Sequence, residues 1–177
     1  MKYLIASDVH GSKESAKKII EISNNEKVDK IILLGDLYYH GPRNSLPYEY
    51  APMKVSEILN EFSDKIICIK GNCDAEVDEM ISKFTFNNSV DMLINNKKVR
   101  FTHGHKENID NPPSDVDVLI YGHFHTGFIK CEQGKVFINA GSITLPKNAT
   151  PHSFLLIEDN VVTLIDEFLN EIDKIVL

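Results

Sequence analysis

The sequence predicts an α/β fold whose parallel strands deliver a set of ligand-type residues to one edge. Three observations predict it. Ile31-Ile32-Leu33-Leu34 is an unbroken apolar run closed by Gly35-Asp36, the pattern of a parallel strand covered on both faces. Four other apolar runs stop in the same way: Lys2 to Ala6 at Ser7-Asp8-Val9-His10-Gly11, Lys65 to Lys70 at Gly71-Asn72-Cys73-Asp74, Val99 to Thr102 at His103-Gly104-His105, and Val118 to Tyr121 at Gly122-His123-Phe124-His125. A helical pattern separates the first strand from the Ile31 strand, and strand, helix, strand implies a parallel pair with a right-handed crossover.

The helix in that unit is expected over Lys13 to Asn24, capped by Ser12, with Ala16, Ile19, Ile20 and Ser23 on one face at helical spacing. Gly41 to Pro52 contains three of the seven prolines and reads as a long ordered loop beside the site. A second helix is expected at about Met53 to Phe62, before the Ile66 strand, and a short one over Glu76 to Lys83. Three hairpins follow. Asn95-Asn96 joins Val90 to Ile94 with Lys97 to Thr102, Gln133-Gly134 joins Phe128 to Glu132 with Lys135 to Asn139, and Asp159-Asn160 joins Leu155 to Ile157 with Val161 to Ile165. The second half therefore reads as mostly antiparallel strand, while Glu167 to Leu177 suits strand or helix equally.

Length and composition bound what such a chain can do. With 177 residues, 42% of them hydrophobic, one globular domain over residues 1–177 with a real core is expected. No stretch has the length of a signal peptide or the roughly 20 apolar residues of a membrane span, so a soluble, cytoplasmic protein without a membrane partner is expected. Cys68, Cys73 and Cys131 form no CxxC pair and their odd number suggests no disulfide framework; Cys68 and Cys131 read as packing residues in strands. A net charge of −7 argues against long nucleic acid as a partner, because phosphate neutralisation by Lys and Arg dominates that affinity. Self-association is left open.

The five strand ends supply Asp8, His10, Asp36, Asn72, His103, His123 and His125: carboxylate, amide oxygen and imidazole together. Singly, each is weak, since Asp-x-His at a strand end is often a turn and Asn after Gly a turn former. Jointly they point to a metal site. Mixed oxygen and nitrogen ligation without thiolate suits manganese, iron(II), zinc, cobalt or nickel better than calcium. Seven ligands exceed one open catalytic site, so the set divides into two divalent ions sharing Asp36, spaced as in other two-metal hydrolytic sites at about 3.5–4 Å. His105 reads as a residue that faces substrate or orients a ligand, or as a solvated one; Arg43, beside His40, reads as a phosphate-oxygen holder or a surface Arg; His152 reads as structural.

Asp8-x-His10, Gly35-Asp36, Gly71-Asn72, Thr102-His103-Gly104-His105 and Gly122-His123-x-His125 resemble the ordered motif set of the calcineurin-like metallophosphoesterases. More narrowly, His40-Gly41-Pro42-Arg43-Asn44, Tyr50-Ala51-Pro52, Gly71-Asn72-Cys73-Asp74 with Glu76-Val77-Asp78, and Gly141-Ser142 with Pro146-Lys147 resemble the bacterial YfcE-type phosphodiesterases, from Met1 to about Ile165. The resemblance implies a four-layer αββα sandwich with mixed sheets. It implies Asp8, His10, Asp36 and His125 on one ion and Asp36, Asn72, His103 and His123 on the other, with manganese the commonest activating metal of such families. The reaction expected is hydrolysis of a small phosphodiester by a hydroxide bound at the two-metal centre, with Asp36, Asn72, Cys73, His105 and Arg43 as the candidate catalytic residues. Many relatives have His where this chain has Cys73, so a leaving-group donor is missing here. Two other readings keep the fold: a phosphomonoesterase or protein phosphatase on the same centre, and a binding scaffold like a retromer subunit, which would lack one or more of the site histidines that this sequence retains.

Overall fold

The computed structural model describes residues 1–177. Its strands form two mixed sheets that face each other. The seven-stranded sheet has the order β12-β11-β10-β1-β2-β3-β4, and the five-stranded sheet β5-β6-β7-β9-β8. In the first sheet, β1 (Lys2–Ala6), β2 (Lys30–Leu33), β3 (Ile66–Ile69) and the two-residue β4 (Phe86–Asn87) run parallel, and β10 (Ser153–Glu158), β11 (Val161–Asp166) and β12 (Glu171–Val176) extend it antiparallel from β1. The ambiguous tail is thus an edge strand.

Alternation along the parallel strands explains their continuous hydrophobicity. Leu4, Ala6, Ile31 and Leu33 face the helices, in one core with Ala16, Ile19, Ile20, Val55 and Leu59. Ile5, Ile32 and Leu34 face the second sheet, in a core with Val99, Phe101, Val118, Ile120 and Ile138. A residue such as Ile32, fully buried between the sheets, contributes about 1.5–3 kcal/mol by leaving water. Helix α1 (Lys13–Asn25) begins as its sequence dictates, with Ser12 accepting from the Ser15 amide, and α2 (Pro52–Asn60) starts on a proline. The short α3 (Glu76–Ile81) packs beside α2, where the Asn60 side chain donates to the Ile81 carbonyl at 2.8 Å.

The second half of the chain pairs mostly antiparallel, as expected, with β10 and β11 forming the expected third hairpin and one strand of the second sheet the exception. Strands β5 (Val90–Ile94) and β6 (Lys97–Phe101) form the expected hairpin, its Asn95 and Asn96 both left-handed, and β8 (Phe128–Glu132) with β9 (Lys135–Asn139) forms another. Between them β7 (Val118–Tyr121) pairs parallel to both β6 and β9. Its partners lie far along the chain, so turn chemistry could not reveal them. The outer face of this sheet, Leu119, Tyr121 and Phe137, is covered by the irregular segment 104–117 through Ile109. Cys131 corrects an expectation: it lies in β8 but is exposed, whereas Cys68 is buried as expected. No helix is long and apolar enough to cross a membrane. The parallel strands β1, β2, β3 on one side and β6, β7 on the other all end at one edge of the sandwich. That edge holds the site.

Candidate metal centre

Five of the seven ligands leave their strands through backbone of left-handed geometry. Asp8 (φ 58°), His10 (48°), Asp36 (55°), His123 (66°) and His125 (58°) all have positive φ without being glycine. Such conformations cost about 1 kcal/mol or more each and cluster at functional sites. Gly11, Gly35 and Gly104 beside them turn the same way, with positive φ. Glycine also serves where chain segments meet. A Cβ on Gly71 would stand 2.1 Å from Asp36 Oδ1, and one on Gly122 would stand 1.8 Å from Ser7 Oγ.

Hydrogen bonds fix the orientation of three imidazoles. His10 Nδ1 donates to the Tyr39 carbonyl (2.7 Å), His103 Nδ1 to the Leu34 carbonyl (2.7 Å) and His125 Nδ1 to the Leu145 carbonyl (2.6 Å). A carbonyl only accepts, so in each neutral ring Nε2 is a lone pair aimed inward. The lone pairs converge. His10 Nε2 lies 3.2 Å from His125 Nε2, and His125 Nε2 lies 3.2 Å from Asp8 Oδ1, an oxygen buried with no hydrogen-bond partner. The other Asp8 oxygen accepts from Ser7 Oγ (2.6 Å) and the His123 amide (2.9 Å). Beside this group, His103 Nε2 faces Asn72 Oδ1 (3.0 Å), His123 Nδ1 (3.2 Å) and Asp36 Oδ1 (3.4 Å). Asp36 Oδ2 points the other way, 3.8 Å from His10 Nε2.

Acceptors brought so close in a dry interior repel one another unless a cation lies among them. This donor set fits divalent transition metals. Without metal, a proton takes one of the places: burial opposes charge on His103, but its contact with Asp36 and the charge of Asp8 outweigh that and raise its pKa to about 9. Burial and the His103 charge together push His123 down to about 4. Asp8 and Asp36 both stay below the ordinary carboxylate range, burial being outweighed by the neighbouring histidines.

All seven predicted ligands therefore come together, and the other predicted residues fall around them. Cys73 lies beside the cluster; its amide donates to Asp36 Oδ1 (2.9 Å), and its thiol can approach a metal with His10 and Asp36. Burial and the Asp36 charge push that thiol up to about 12, so it stays protonated. Arg43 lines a cleft of about 430 Å³ together with His10, Asp36, Asn72, Cys73 and His123. His105 stands apart from that cleft, its ring 5.4 Å from His103, and lines a neighbouring one. His152 donates to the Ile143 carbonyl at 3.0 Å and is structural, as expected.

Two residues were given no role by sequence reasoning. Asp74, 7% exposed, accepts through Oδ2 from the Asp36 amide (2.8 Å) and the Gly71 amide (2.7 Å), and through Oδ1 from the Leu37 amide (2.8 Å). It clamps the turn bearing Asp36 to the turn bearing Asn72. Burial raises its pKa to about 6 against those three amides. Lys147 was also missed as a residue of the Arg43 cleft; its own amide donates to the His125 carbonyl at 2.9 Å.

A two-sheet sandwich that gathers carboxylates, an amide and inward-facing imidazoles at aligned strand ends defines an enzyme of phosphoester hydrolysis. Residues 1–160 match the calcineurin-like phosphoesterase superfamily domain, and the chain belongs to that superfamily. It is 38% identical over 169 residues to the phosphodiesterase YfcE of Escherichia coli K12, covering 93% of this chain and 91% of that one. The solved structure of the E. coli YfcE phosphoesterase superposes with a TM-score of 0.95 at 34% identity over 99% of both chains. The probable metallophosphoesterase YsnB of Bacillus subtilis is 28% identical, covering 99% of this chain and 96% of its own. Vacuolar Protein Sorting 29 of Cryptosporidium parvum, at 21% identity and a TM-score of 0.65 over 99% of this chain and 98% of that one, shares the fold.

Proposed function

We propose that the protein hydrolyses phosphodiesters at a centre of two divalent cations, manganese foremost, held by Asp8, His10, Asp36 and His125 on one side and Asp36, Asn72, His103 and His123 on the other. One observation carries the reading: His10, His103 and His125 each spend Nδ1 on a backbone carbonyl and turn Nε2 inward beside the carboxylates, and Asp36 directs one oxygen to each half of the set. Two cations, when bound, supply an activated water and fixed positive charge for the phosphoryl oxygens.

The chain's own residues supply the rest. Asp8, His10, Asp36, His103 and His125 are all buried, while Asn72 is exposed and His123 half-buried, so substrate reaches the centre over those last two. Arg43 and Lys147 have no acidic partner and line the cleft above the ligands, where they hold phosphoryl oxygens. Cys73 lies in the same cleft beside Asp36 and offers the departing oxygen only a weak thiol donor. Water adds to phosphorus, one ester bond breaks, and the products are a phosphomonoester and an alcohol that takes up a proton. His105, outside this cleft, bears on the neighbouring part of the substrate. The 38% identity to a phosphodiesterase over most of both chains favours diesters over monoesters.

The test is to strip the protein, resupply single metals, and measure metal content and turnover on matched diesters and monoesters. Two manganese ions per chain and preferred diester hydrolysis are expected. One ion or fewer with activity intact would sink the two-metal centre, and faster monoester turnover would sink the diesterase reading.

A further inference from the structure

Beside the Arg43 cleft lies a second one, of about 490 Å³, formed by Lys70, Gly71, Asn88, Ser89, His105 and Lys106 around its rim and floor, with no hydrophobic side chain in its lining. The two clefts adjoin through the backbone: Gly71 lines one and Asn72, the next residue, lines the other. The ring of His105 stands 5.4 Å from the His103 ring and 6.2 Å from the His123 ring, so a wall of this second cleft packs beside two of the proposed metal ligands. We propose that it is the binding site for the retained ester arm of the substrate, and that this arm carries a negative charge of its own.

Three features give the cleft that chemistry. Its volume is in the range of pockets that hold small ligands, about 300–1,000 Å³, yet an apolar alcohol would find no apolar wall there. The side chains of Asn88, Ser89, His105 and Lys106 make no hydrogen bond within the protein, the one bond at Lys106 being to its backbone carbonyl, which leaves them free to meet polar groups of a ligand. The charge balance is also positive, in a chain with 26 acidic and 19 basic residues. Glu107, the only acid of the lining, is turned onto Arg100 at 3.1 Å. Lys70 is shared with Glu79, whereas Lys106 has no carboxylate partner. Cys73 and Arg43 both line the first cleft, which places the departing alcohol there and the retained arm here.

The inference rests on the diesterase reading, and the experiment separates the two. Two diesters with the same 4-nitrophenol leaving group are compared, one retaining a propyl arm and the other a 2-carboxyethyl arm, on manganese-loaded wild type, Lys106→Glu, Lys106→Arg and Lys17→Glu. Lys17 is exposed on α1 and unpaired, and serves as a control for net charge. The measured quantity is the ratio of kcat/KM for the charged arm over the neutral arm. Lys106→Glu should lower that ratio about fivefold through KM, the size of one partly exposed ion pair; Lys106→Arg and Lys17→Glu should keep it. A ratio that is the same in wild type and Lys106→Glu overturns the assignment. If wild type turns over neither compound, the diesterase reading fails by itself, and calorimetric binding of the same two compounds still decides the cleft: equal affinities overturn it, and a preference for the charged arm lost in Lys106→Glu upholds it.

Discussion

Removing the Asp74 carboxylate tests how the site is held together. In Asp74→Ala the amides of Asp36, Leu37 and Gly71, now accepted at 2.7–2.8 Å in the interior, lose their partner. Each buried donor left unmet costs about 1–3 kcal/mol, giving about 3–9 kcal/mol for the three. An opposing gain follows from the raised pKa. With Asp74 at about 6 rather than 3.8, its ionised form at pH 7 costs the folded state about 3 kcal/mol, which the variant no longer bears. The lost amide contacts dominate, and a net loss on the order of 3 kcal/mol is expected, or about 6–12 °C in Tm for a chain of this size. Because the folded pKa is raised, the wild type regains stability relative to the variant as pH falls from about 6 toward 4, so the difference widens on acidification. Urea unfolding of metal-free protein at pH 7 and pH 5 measures this. Manganese titration measures the second effect, since loosening the turns of Asp36 and Asn72 should weaken metal binding by about 10–100-fold, as loss of a supporting partner does at other metal sites. A loss under about 1 kcal/mol with unchanged manganese affinity would refute the clamp.

Other perturbations address the ligands directly. Asp36→Asn should keep the fold and lower diester hydrolysis by orders of magnitude, because a neutral amide cannot join two cations as a carboxylate does; turnover near the wild-type rate would remove Asp36 from the bridge. Manganese binding at pH 7–8 should release about one proton per chain, because His103, raised to about 9, is protonated in the metal-free protein and must surrender that proton to ligate. The same raised pKa stabilises the metal-free fold fully below about 6.5 and ceases to do so as pH rises through 9; calorimetry in buffers of different ionisation enthalpy counts the proton, and a count of zero contradicts the assignment. Cys73→His should flatten the dependence of kcat/KM on leaving-group pKa, since the thiol, pushed up to about 12, is a poor donor that imidazole would replace; equal slopes at equal metal content would leave Cys73 as packing only.

Most of the site could be read from the sequence because the strands announce their own ends. Apolar runs closing on Gly-Asp, Gly-Asn or His-Gly-His place a ligand at an edge whatever their neighbours do. Local turn chemistry was equally legible, as Ser12 at the α1 cap and Asn95-Asn96 in the hairpin illustrate. What stayed hidden depends on distant partners. Parallel pairing of β7 to β6 and β9 leaves no local mark, β4 is two residues long, and Cys131 sits in an apolar-looking strand whose exposure is set by its place at the sheet edge. Asp74 carries no local mark of its role, because two of the three amides it accepts from lie 37 and 38 residues away.

The left-handed backbone at Asp8, His10, Asp36, His123 and His125 sets stability against activity at the same five torsion angles. Glycine in any of these places would relieve about 1 kcal/mol of steric cost, and at His10 and His123, which burial holds neutral, it would also remove an acceptor crowded by its neighbours when no metal is present. Substitutions that disarm the centre are thus among the few in this chain expected to make the metal-free protein sturdier. Selection for fold alone would discard the ligands. Their presence together is a signature of selection for metal, and a screen of random variants for heat resistance should return inactive proteins altered at His10 and His123 more often than elsewhere in the core.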